Sequence, residues 1–162
     1  MNVCYCTFES RLGEVMLTSD GQALTGLYFE GQKYHPRIEA HWQRRDSLDL
    51  FVRVREQFES YESGGDHGFD VPLSPAGTGF QRRVWQALLQ VGFGETVSYG
   101  EIARRIGAPA AVRAVGAAVG RNPISVIVPC HRIVGADGSL TGYAGGIDRK
   151  QRLLCIEGSL LA

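Results

Sequence analysis

The sequence predicts an α+β fold, in which a small N-terminal domain of antiparallel sheet plus helix precedes a mainly helical C-terminal domain containing a helix-turn-helix. Three observations support this prediction. Strand-forming side chains dominate the start of the chain, the apolar pattern takes a helical period after residue 78, and a stretch rich in Gly and Pro separates the two patterns. A chain of 162 residues is long enough for two small domains. We predict that they span residues 1–75 and 76–162.

Charge is divided unevenly between these two parts, although the net charge of the whole chain is zero. Residues 1–77 carry 7 Lys+Arg and 12 Asp+Glu, a balance of −5, whereas residues 78–162 carry 10 and 5, a balance of +5. A basic half indicates an anionic partner such as nucleic acid. Chance asymmetry would explain the same numbers, so charge alone does not assign a function.

The composition is typical of a soluble globular protein, with 44% hydrophobic and 21% charged residues. No apolar run approaches the roughly 20 residues that span a bilayer. The first residues lack the basic and apolar regions of a signal peptide. The 4 cysteines are irregularly spaced, which indicates reduced thiols rather than a disulfide framework. We therefore expect a cytoplasmic protein.

The N-terminal part begins with three predicted strands. They cover residues 3–8, 14–19 and 23–29, which are rich in Val, Thr, Tyr, Phe and Leu. Gly13 and the Asp20-Gly21 pair mark the turns between them. Cys4 and Cys6 would share one face of the first strand. A zinc site that also uses His35 or His41 is conceivable, but no known ligand spacing is present, so buried structural thiols are the better interpretation.

The rest of the N-terminal part is predicted to contain one helix. Residues 31–46 are polar and predict a loop, and the apolar spacing of residues 49–61 predicts an amphipathic helix. Residues 63–77 carry several Gly and Pro residues and predict a linker, in which His67 would be solvated.

The C-terminal part is predicted to begin with three helices. They cover about residues 78–89, 97–106 and 110–120. Thr78 is the predicted N-cap of the first, and Ser98 with Glu101 has the capping-box spacing at the second. Gly107 lies in the turn between the second and third helices. A helix, a short glycine-containing turn and a helix form the helix-turn-helix outline.

Small side chains dominate the third predicted helix. They belong to Ala110, Ala111, Ala114, Gly116, Ala117 and Ala118. Arg113 is the only long charged side chain before Arg121. Such a helix is suited to close packing against another helix, or to a nucleic-acid groove into which Arg113 reaches. The sequence leaves both interpretations open.

Pro129, Cys130 and His131 lie between two short runs of β-branched residues. These runs, residues 124–128 and 133–134, predict buried, strand-like backbone. Pro129 has no N–H to donate, so the hydrogen-bond ladder is expected to break just before Cys130. A thiol held at a break between buried segments is well placed to act as a nucleophile.

The chain after this motif is predicted to form a hairpin, a loop and a helix. An Asp137-Gly138 turn would join residues 133–134 to residues 139–141. Residues 142–146 form a glycine-rich loop that can approach a ligand closely, and residues 147–156 predict the last helix. Glu157 follows this helix, where a carboxylate is unfavourable against the helix dipole. Its position therefore predicts a specific partner such as a histidine.

Cys130, His131 and Glu157 together predict nucleophilic chemistry. A thiolate is the reactive form of cysteine, and His131 is the nearest base in the sequence. Neighbours on extended backbone point to opposite sides, so either the chain turns here or a water carries the proton. Glu157 would fix the tautomer of the imidazole. Such a set would also suit acyl transfer or proteolysis.

Several ordered motifs resemble those of the O6-alkylguanine-DNA alkyltransferases. They are Arg113-Ala114-Val115-Gly116, Asn122-Pro123, Pro129-Cys130-His131-Arg132 and Gly142-Tyr143-Ala144-Gly145-Gly146. The resemblance is close from about Phe80 to Gly158, roughly half of the chain, whereas the N-terminal part matches only in outline. It implies a DNA-repair protein that moves an alkyl group from guanine O6 to its own cysteine, once per molecule. We then expect a prokaryotic, DNA-associated protein that binds duplex DNA containing alkylated guanine.

The resemblance implies a role for each matching residue of the reaction. Cys130 would accept the alkyl group, and His131, acting through a water, would deprotonate it. Glu157 would orient His131, and Asn122 would brace the active-site turn. Tyr99 would assist at the flipped nucleotide and donate a proton towards the leaving base.

The resemblance also implies a set of DNA and substrate contacts. They are Tyr99, Gly100, Arg113, Ala114, Gly116, Ala136, Tyr143, Ala144 and Gly145. Arg113 would fill the space left by the extruded base, from a helix that lies in the minor groove. Ala144 stands where many relatives carry a serine, so backbone would supply one pocket hydrogen bond. Some relatives bind zinc in the N-terminal domain, but only Cys4 matches that pattern, so we predict no metal and no cofactor.

Three other functions compete with this interpretation. A cysteine hydrolase or acyltransferase would not need the alanine-rich helix with Arg113. A non-catalytic sensor of the alkyltransferase-like type lacks the acceptor cysteine, which is present here as Cys130. The third is a plain helix-turn-helix regulator, of which one version would use alkylation of Cys130 as its signal. The accepted alkyl size, activity on O4-alkylthymine and cooperative assembly of the expected monomer on DNA stay open.

Overall fold

The N-terminal part forms a mixed sheet in the computed structural model, which describes residues 2–65 and 68–160. The strands are β1 (Cys4–Ser10), β2 (Gly13–Ser19), β3 (Leu24–Phe29) and β4 (Gln43–Arg44). They lie in the order β3-β2-β1-β4, with β4 parallel to β1 and the other pairs antiparallel. The three predicted strands are confirmed, and β4 lies within the predicted loop. His67 is outside the described residues.

Helix α1 (Asp49–Glu62) packs its apolar face against this sheet, as its spacing predicts. Its Phe58 ring lies 5.7 Å from Phe8 and 6.5 Å from Phe29, measured between ring centroids. Cys4 and Cys6 are buried in the same core, in agreement with their shared face on β1. Burial of these rings is a main source of stability here, since each aromatic side chain removes a large apolar area from water.

Strand β3 connects the two parts of the chain. The Leu24 N–H donates to the Pro72 carbonyl at 2.8 Å, so the linker runs along the edge of β3. Further along the same strand, the Leu27 N–H donates to the Pro123 carbonyl at 2.9 Å. One cluster of buried apolar residues extends from the sheet into the C-terminal helices. The division into domains 1–75 and 76–162 stays a prediction.

The C-terminal part contains the three predicted helices, α2 (Gly79–Leu88), α3 (Tyr99–Arg105) and α4 (Val112–Gly120). The Thr78 hydroxyl accepts the Gln81 N–H at 3.1 Å, and the Gln81 side chain accepts the Thr78 N–H at 3.0 Å. This reciprocal cap fixes the start of α2.

The caps and contacts of α3 and α4 complete the helix-turn-helix. The Ser98 hydroxyl accepts the Glu101 N–H at 3.0 Å, but the Glu101 carboxylate pairs with Arg105 instead of closing the capping box. The Trp85 indole of α2 donates to the Ala118 carbonyl of α4 at 2.9 Å. That bond ties α4 to the core by its inner face.

Two predicted strands are wrong. Ile124 forms an isolated β-bridge with Leu27, and residues 125–128 form turns and a bend. The Asn122 side chain bonds the backbone groups of Ile124 and Val128 that a strand partner would otherwise use. Residues 139–141 follow a turn but form no strand. Instead of a hairpin, β6 (Ile133–Val134) pairs in parallel with β5 (Val97–Ser98).

The last helix, α5 (Ile147–Ile156), agrees with the prediction and buries Leu153 and Leu154. It brings Glu157 beneath the segment that carries Cys130. Within residues 2–65 and 68–160, no helix combines the length and apolar character that a membrane span needs.

Candidate active site

A tight turn and the side chain of Asn122 hold Cys130 in place. A single turn of 3₁₀ helix spans Cys130–Arg132. The Asn122 Nδ2 atom donates to the Val128 carbonyl at 2.8 Å and contacts Cys130 Sγ at 3.2 Å. The Oδ1 atom accepts the Ile124 N–H at 3.0 Å, which fixes the orientation of the amide. Asn122 therefore closes the turn and touches the thiol directly.

His131 and Glu157 form a buried pair behind Cys130. His131 Nε2 lies 2.6 Å from Glu157 Oε2, and both side chains are fully buried. A carboxylate only accepts, so Nε2 carries the proton and Nδ1 of the neutral ring is free to accept one. Nδ1 has no hydrogen-bond partner in the described part of the chain. The chain turns at Cys130, yet the imidazole makes no direct hydrogen bond to the thiol.

Side chains other than the predicted histidine also donate hydrogen bonds to Glu157. The Tyr61 hydroxyl of α1 donates to Oε2 at 2.6 Å, and the Arg132 guanidinium donates to Oε1 at 2.8 Å and to Oε2 at 3.0 Å. Burial opposes the charged form, but the hydrogen bonds from His131, Arg132 and Tyr61 outweigh it and lower the pKa of Glu157 to about 2. Glu157 is therefore a carboxylate throughout the physiological range.

Burial keeps the cysteine and the histidine neutral at rest. Burial raises the pKa of the Cys130 thiol, although the Asn122 hydrogen bond and the positive charge of Lys150 act in the opposite direction. Burial lowers the pKa of His131, and its hydrogen bond to Glu157 opposes this shift. A neutral thiol and a neutral imidazole can exchange a proton, and the product ion pair would be stabilised by Glu157 and Lys150.

Lys150 supplies a buried positive charge next to this group. Its Nζ atom donates to the Ile133 carbonyl at 2.5 Å and to the Thr141 carbonyl at 2.9 Å. Burial lowers its pKa to about 8. Lys150 therefore joins α5, β6 and the loop after β6, and it places a cation close to Cys130.

A cleft of about 830 Å³ opens beside Cys130, which lines its wall while only 4% exposed. Tyr99 lines the cleft from the start of α3, and Gly116 lines it from the face of α4. Tyr143 and Ala144 line it from the glycine-rich loop. The structure therefore brings these four predicted residues together with the thiol.

The other predicted contacts do not line the cleft. Gly145 is buried, and an added Cβ atom would lie 2.7 Å from the Tyr143 ring, so this position needs glycine. Gly100 and Ala136 are exposed elsewhere on the surface. Arg113 and Ala114 are exposed on α4, and Arg113 has no ion pair among the residues with described positions. The small side chains of α4 are therefore compatible with both interpretations. Ala118 packs inward against another helix, and Ala114 is exposed and free to face a nucleic-acid groove.

The sequence analysis missed several residues of this site. Arg132 is adjacent to His131, but it is 25 positions from its partner Glu157, so no local pattern connects Arg132 with Glu157. Lys150 lies three and four residues before the buried Leu153 and Leu154, so the helical spacing placed it on the buried face of α5. Tyr61 is 96 positions from its partner Glu157, and no local pattern connects them.

The possible zinc ligands do not converge. Cys4 and Cys6 are buried, whereas His35 and His41 are exposed. His41 lies 3.6 Å from Glu39. No group of three His, Cys, Asp or Glu side chains suited to a metal ion occurs within residues 2–65 and 68–160.

Two family models match the chain. Residues 79–159 match the DNA binding domain of 6-O-methylguanine DNA methyltransferase, and residues 3–75 match its ribonuclease-like domain. A methylated-DNA–protein-cysteine methyltransferase of Mycobacterium bovis is 50% identical over 155 residues, covering 96% of this chain and 92% of that protein. One of Haemophilus influenzae is 47% identical over 154 residues, covering 94% and 85%.

Solved structures resemble the whole chain. The crystal structure of Mycobacterium tuberculosis OGT in complex with DNA has a TM-score of 0.88 and 48% identity, and the match covers 96% of this chain and 93% of that one. The O6-methylguanine-DNA methyltransferase of Pyrococcus kodakaraensis has a TM-score of 0.67 and 27% identity, covering 96% and 99%. The predicted α+β fold is confirmed.

Proposed function

Because the chain belongs to the methylated-DNA–protein-cysteine methyltransferase family of DNA-repair proteins, we propose that Cys130 accepts the alkyl group of O6-alkylguanine in duplex DNA. Each molecule reacts once. The observation that carries this proposal is the position of Cys130, whose thiol lines the cleft beside α4 while the His131–Glu157 pair lies buried behind it.

The reaction is a displacement at an sp3 carbon. Cys130 Sγ forms a bond to the alkyl carbon as the bond between that carbon and guanine O6 breaks, and the electron pair stays with the base. The thiol proton passes through a water to His131 Nδ1, and Tyr99 donates a proton towards the leaving base. The product is a thioether, which has no easy hydrolytic exit, so the protein is consumed.

The electrostatics of the buried group support this route. The thiol pKa is raised by burial, so Cys130 needs a base, and the free Nδ1 of His131 can be that base. Glu157 is ionised and would stabilise the imidazolium that forms. Lys150 favours the thiolate by its charge. Asn122 braces the turn by bonding both its backbone and the sulfur.

Access to a stacked guanine requires the nucleotide to leave the duplex. We assign this step to α4, whose outer face carries the exposed Ala114 and Arg113. Arg113 would fill the space of the extruded base, and the +5 balance of residues 78–162 would supply phosphate contacts. Tyr143, Ala144 and Gly145 would form the base pocket, with Gly145 acting through its close backbone packing. Gly100 and Ala136 would contact the DNA backbone.

The competing functions are less well supported. A hydrolase would need an oxyanion site and a route for water, and it gives no role to Arg113. A plain helix-turn-helix regulator gives no role to the buried His131–Glu157 pair, and one that is switched by alkylation of Cys130 would still need the proposed transfer. We further propose that the protein acts as a monomer in two domains, residues 1–75 and 76–162, and that it works in the cytoplasm without a cofactor.

One experiment tests the proposal directly. The full chain is incubated with duplex DNA containing O6-methylguanine, and its intact mass is measured. We expect one added methylene mass per molecule, absent in the variant Cys130→Ser. No mass shift, or repeated turnover by each molecule, would overturn the proposal. The same assay with O4-methylthymine decides whether that lesion is a second substrate.

A further inference from the structure

The cleft beside Cys130 is not built from the C-terminal half alone. Lys33 and Tyr34, which follow β3 in the N-terminal part, line the same cleft. Arg121 lines it from the end of α4. We refer to Lys33, Tyr34 and Arg121 as the rim cluster. None of its members was predicted as a site residue from the sequence.

Several hydrogen bonds fix the loop that carries Lys33 and Tyr34. The buried Gln32 side chain accepts the Phe29 N–H at 2.8 Å and donates to the Lys33 carbonyl at 3.0 Å. The Lys33 N–H donates to the Ala144 carbonyl at 3.0 Å, which joins the loop to the glycine-rich loop of the cleft. The rim cluster is therefore held in a defined position before any ligand binds.

Tyr34 occupies a backbone conformation that non-glycine residues rarely adopt. Its φ is +61°, and its side chain is 58% exposed. An exposed aromatic ring in the left-handed region gains little from core packing. Such a conformation persists only where the surroundings enforce it, which is common at binding sites.

The Arg121 guanidinium is stacked on this ring. Its carbon lies 4.0 Å from the centre of the Tyr34 ring, so the cation is held by a cation–π contact. Neither Arg121 nor Lys33 forms an ion pair with a described residue. Among residues 2–65 and 68–160, no Asp or Glu lines the cleft. Two exposed cations thus face a cleft without a counter-charge.

We infer that the rim cluster binds a backbone phosphate of the DNA strand that carries the flipped nucleotide. This inference rests on the proposed function. Arginine suits phosphate because its planar guanidinium donates two parallel hydrogen bonds. Tyr34 holds that plane in place, and Lys33 adds a second charge. The acidic N-terminal half therefore contributes directly to DNA binding, without any contact to a base.

The salt dependence of binding tests this inference. Binding of a duplex with O6-methylguanine is measured by fluorescence anisotropy at several NaCl concentrations, with every protein carrying Cys130→Ser so that no transfer occurs. We expect Arg121→Ala to weaken binding about fivefold at low salt. The slope of log K against log salt should become shallower by about 0.9, the loss of one phosphate contact. Lys33→Ala should act in the same direction.

Arg53→Ala is the matched control. Arg53 is an exposed arginine of α1 that does not line the cleft, so the same charge is removed at another place. For Arg53→Ala, the slope of log K against log salt should equal that of the parent protein. If Arg53→Ala changes the slope as much as Arg121→Ala does, the effect is one of net charge and the inference is wrong.

Two variants at Tyr34 test the stacking. Tyr34→Phe keeps the ring and should bind as the parent does. Tyr34→Asn removes the ring with a residue that tolerates a positive φ, and it should weaken binding. In a double-mutant cycle, Tyr34→Asn should have no further effect once Arg121 is alanine. Equal effects of Tyr34→Asn with and without Arg121 would contradict the assigned bracing.

The outcomes separate this inference from the proposed function. If the parent protein with Cys130 takes up a methylene mass but Arg121→Ala and Lys33→Ala leave the slope unchanged, the rim cluster does not bind phosphate. If the parent takes up no mass, the proposed function fails first. A thermal unfolding curve shows whether each variant is folded. If Arg121→Ala does not fold, Lys33→Ala still tests the inference, because it removes only an exposed side chain.

Discussion

Behind Cys130, the carboxylate of Glu157 accepts hydrogen bonds from Tyr61, His131 and Arg132. On the outer face of α4, Arg113 has no ion pair within the described ranges. Just after α4, on the rim of the cleft, the Arg121 guanidinium stacks on the Tyr34 ring. In the free protein, the carboxylate of the first region already has its hydrogen-bond partners. The second region has cations without counter-charges among the described residues.

This difference matches the two tasks that we propose for the protein. Proton transfer from Cys130 needs groups already aligned, since a buried charge without partners is costly. DNA binding needs exposed cations whose partners are phosphates. Substitutions in the buried group should therefore change the rate of transfer, and substitutions on the exposed face should change binding and flipping.

The largest effect is expected from Glu157→Gln. Without the charge, the imidazolium of His131 loses its stabilisation, and we expect alkyl transfer to slow about 100-fold. DNA affinity should stay within about twofold, because Glu157 is buried away from the surface. Single-turnover kinetics by intact mass, with anisotropy for binding, measures both. A parallel loss of affinity would show that the two regions are not independent.

Arg113→Ala should have the next largest effect, on the other region. Transfer from duplex DNA should slow about 10-fold, because flipping costs a few kcal/mol that Arg113 no longer helps to offset. Reaction with the free base O6-methylguanine needs no flipping and should be unchanged. Normal repair of duplex DNA by this variant would remove Arg113 from its assigned role.

Tyr61→Phe should have a smaller effect on the buried group. It deletes one hydrogen bond to Glu157 Oε2 and keeps the ring contact with Phe93, whose centroid is 6.1 Å away. We expect transfer about fivefold slower, with an unchanged salt dependence of DNA binding. Tyr5→Phe is the control, since the Tyr5 ring contacts Trp42 and Arg44 instead. Equal rates for the two variants would make Tyr61 a packing residue only.

The pH dependence of folding stability tests the Glu157 carboxylate without a DNA substrate. Folding lowers the pKa of Glu157 from 4.5 to about 2, so between these values the unfolded state binds more protons. Stability from Glu157 is therefore present above pH 4.5 and is lost as pH falls towards 2. Thermal midpoints of the parent and Glu157→Gln, measured from pH 6 downwards, should converge. A constant difference would mean that Glu157 is not strongly coupled to its partners.

Elements with a regular apolar period were predictable from the sequence. α1, α2 and α5 each bury one face and were predicted within a few residues. The strand prediction for residues 124–128 was wrong. β-branched residues favour buried positions in general, and here Asn122 supplies the hydrogen bonds that a strand partner would. The hairpin predicted with residues 139–141 does not form, because β6 pairs in parallel with β5, whose residues lie 36 positions earlier in the chain.

By itself the sequence predicted the fold class and the order of the helices, because these depend on local periodicity. It also predicted the set of Cys130, His131, Glu157 and Asn122, with Asn122 implied by the resemblance to a known family. Only the tertiary structure decided that Tyr61 and Arg132 hold Glu157, that Lys150 lies beside the thiol, and that Lys33 and Tyr34 meet Arg121 across the cleft. These contacts join residues far apart in the chain. Their geometry follows from how β3 and α5 pack, which no local pattern specifies.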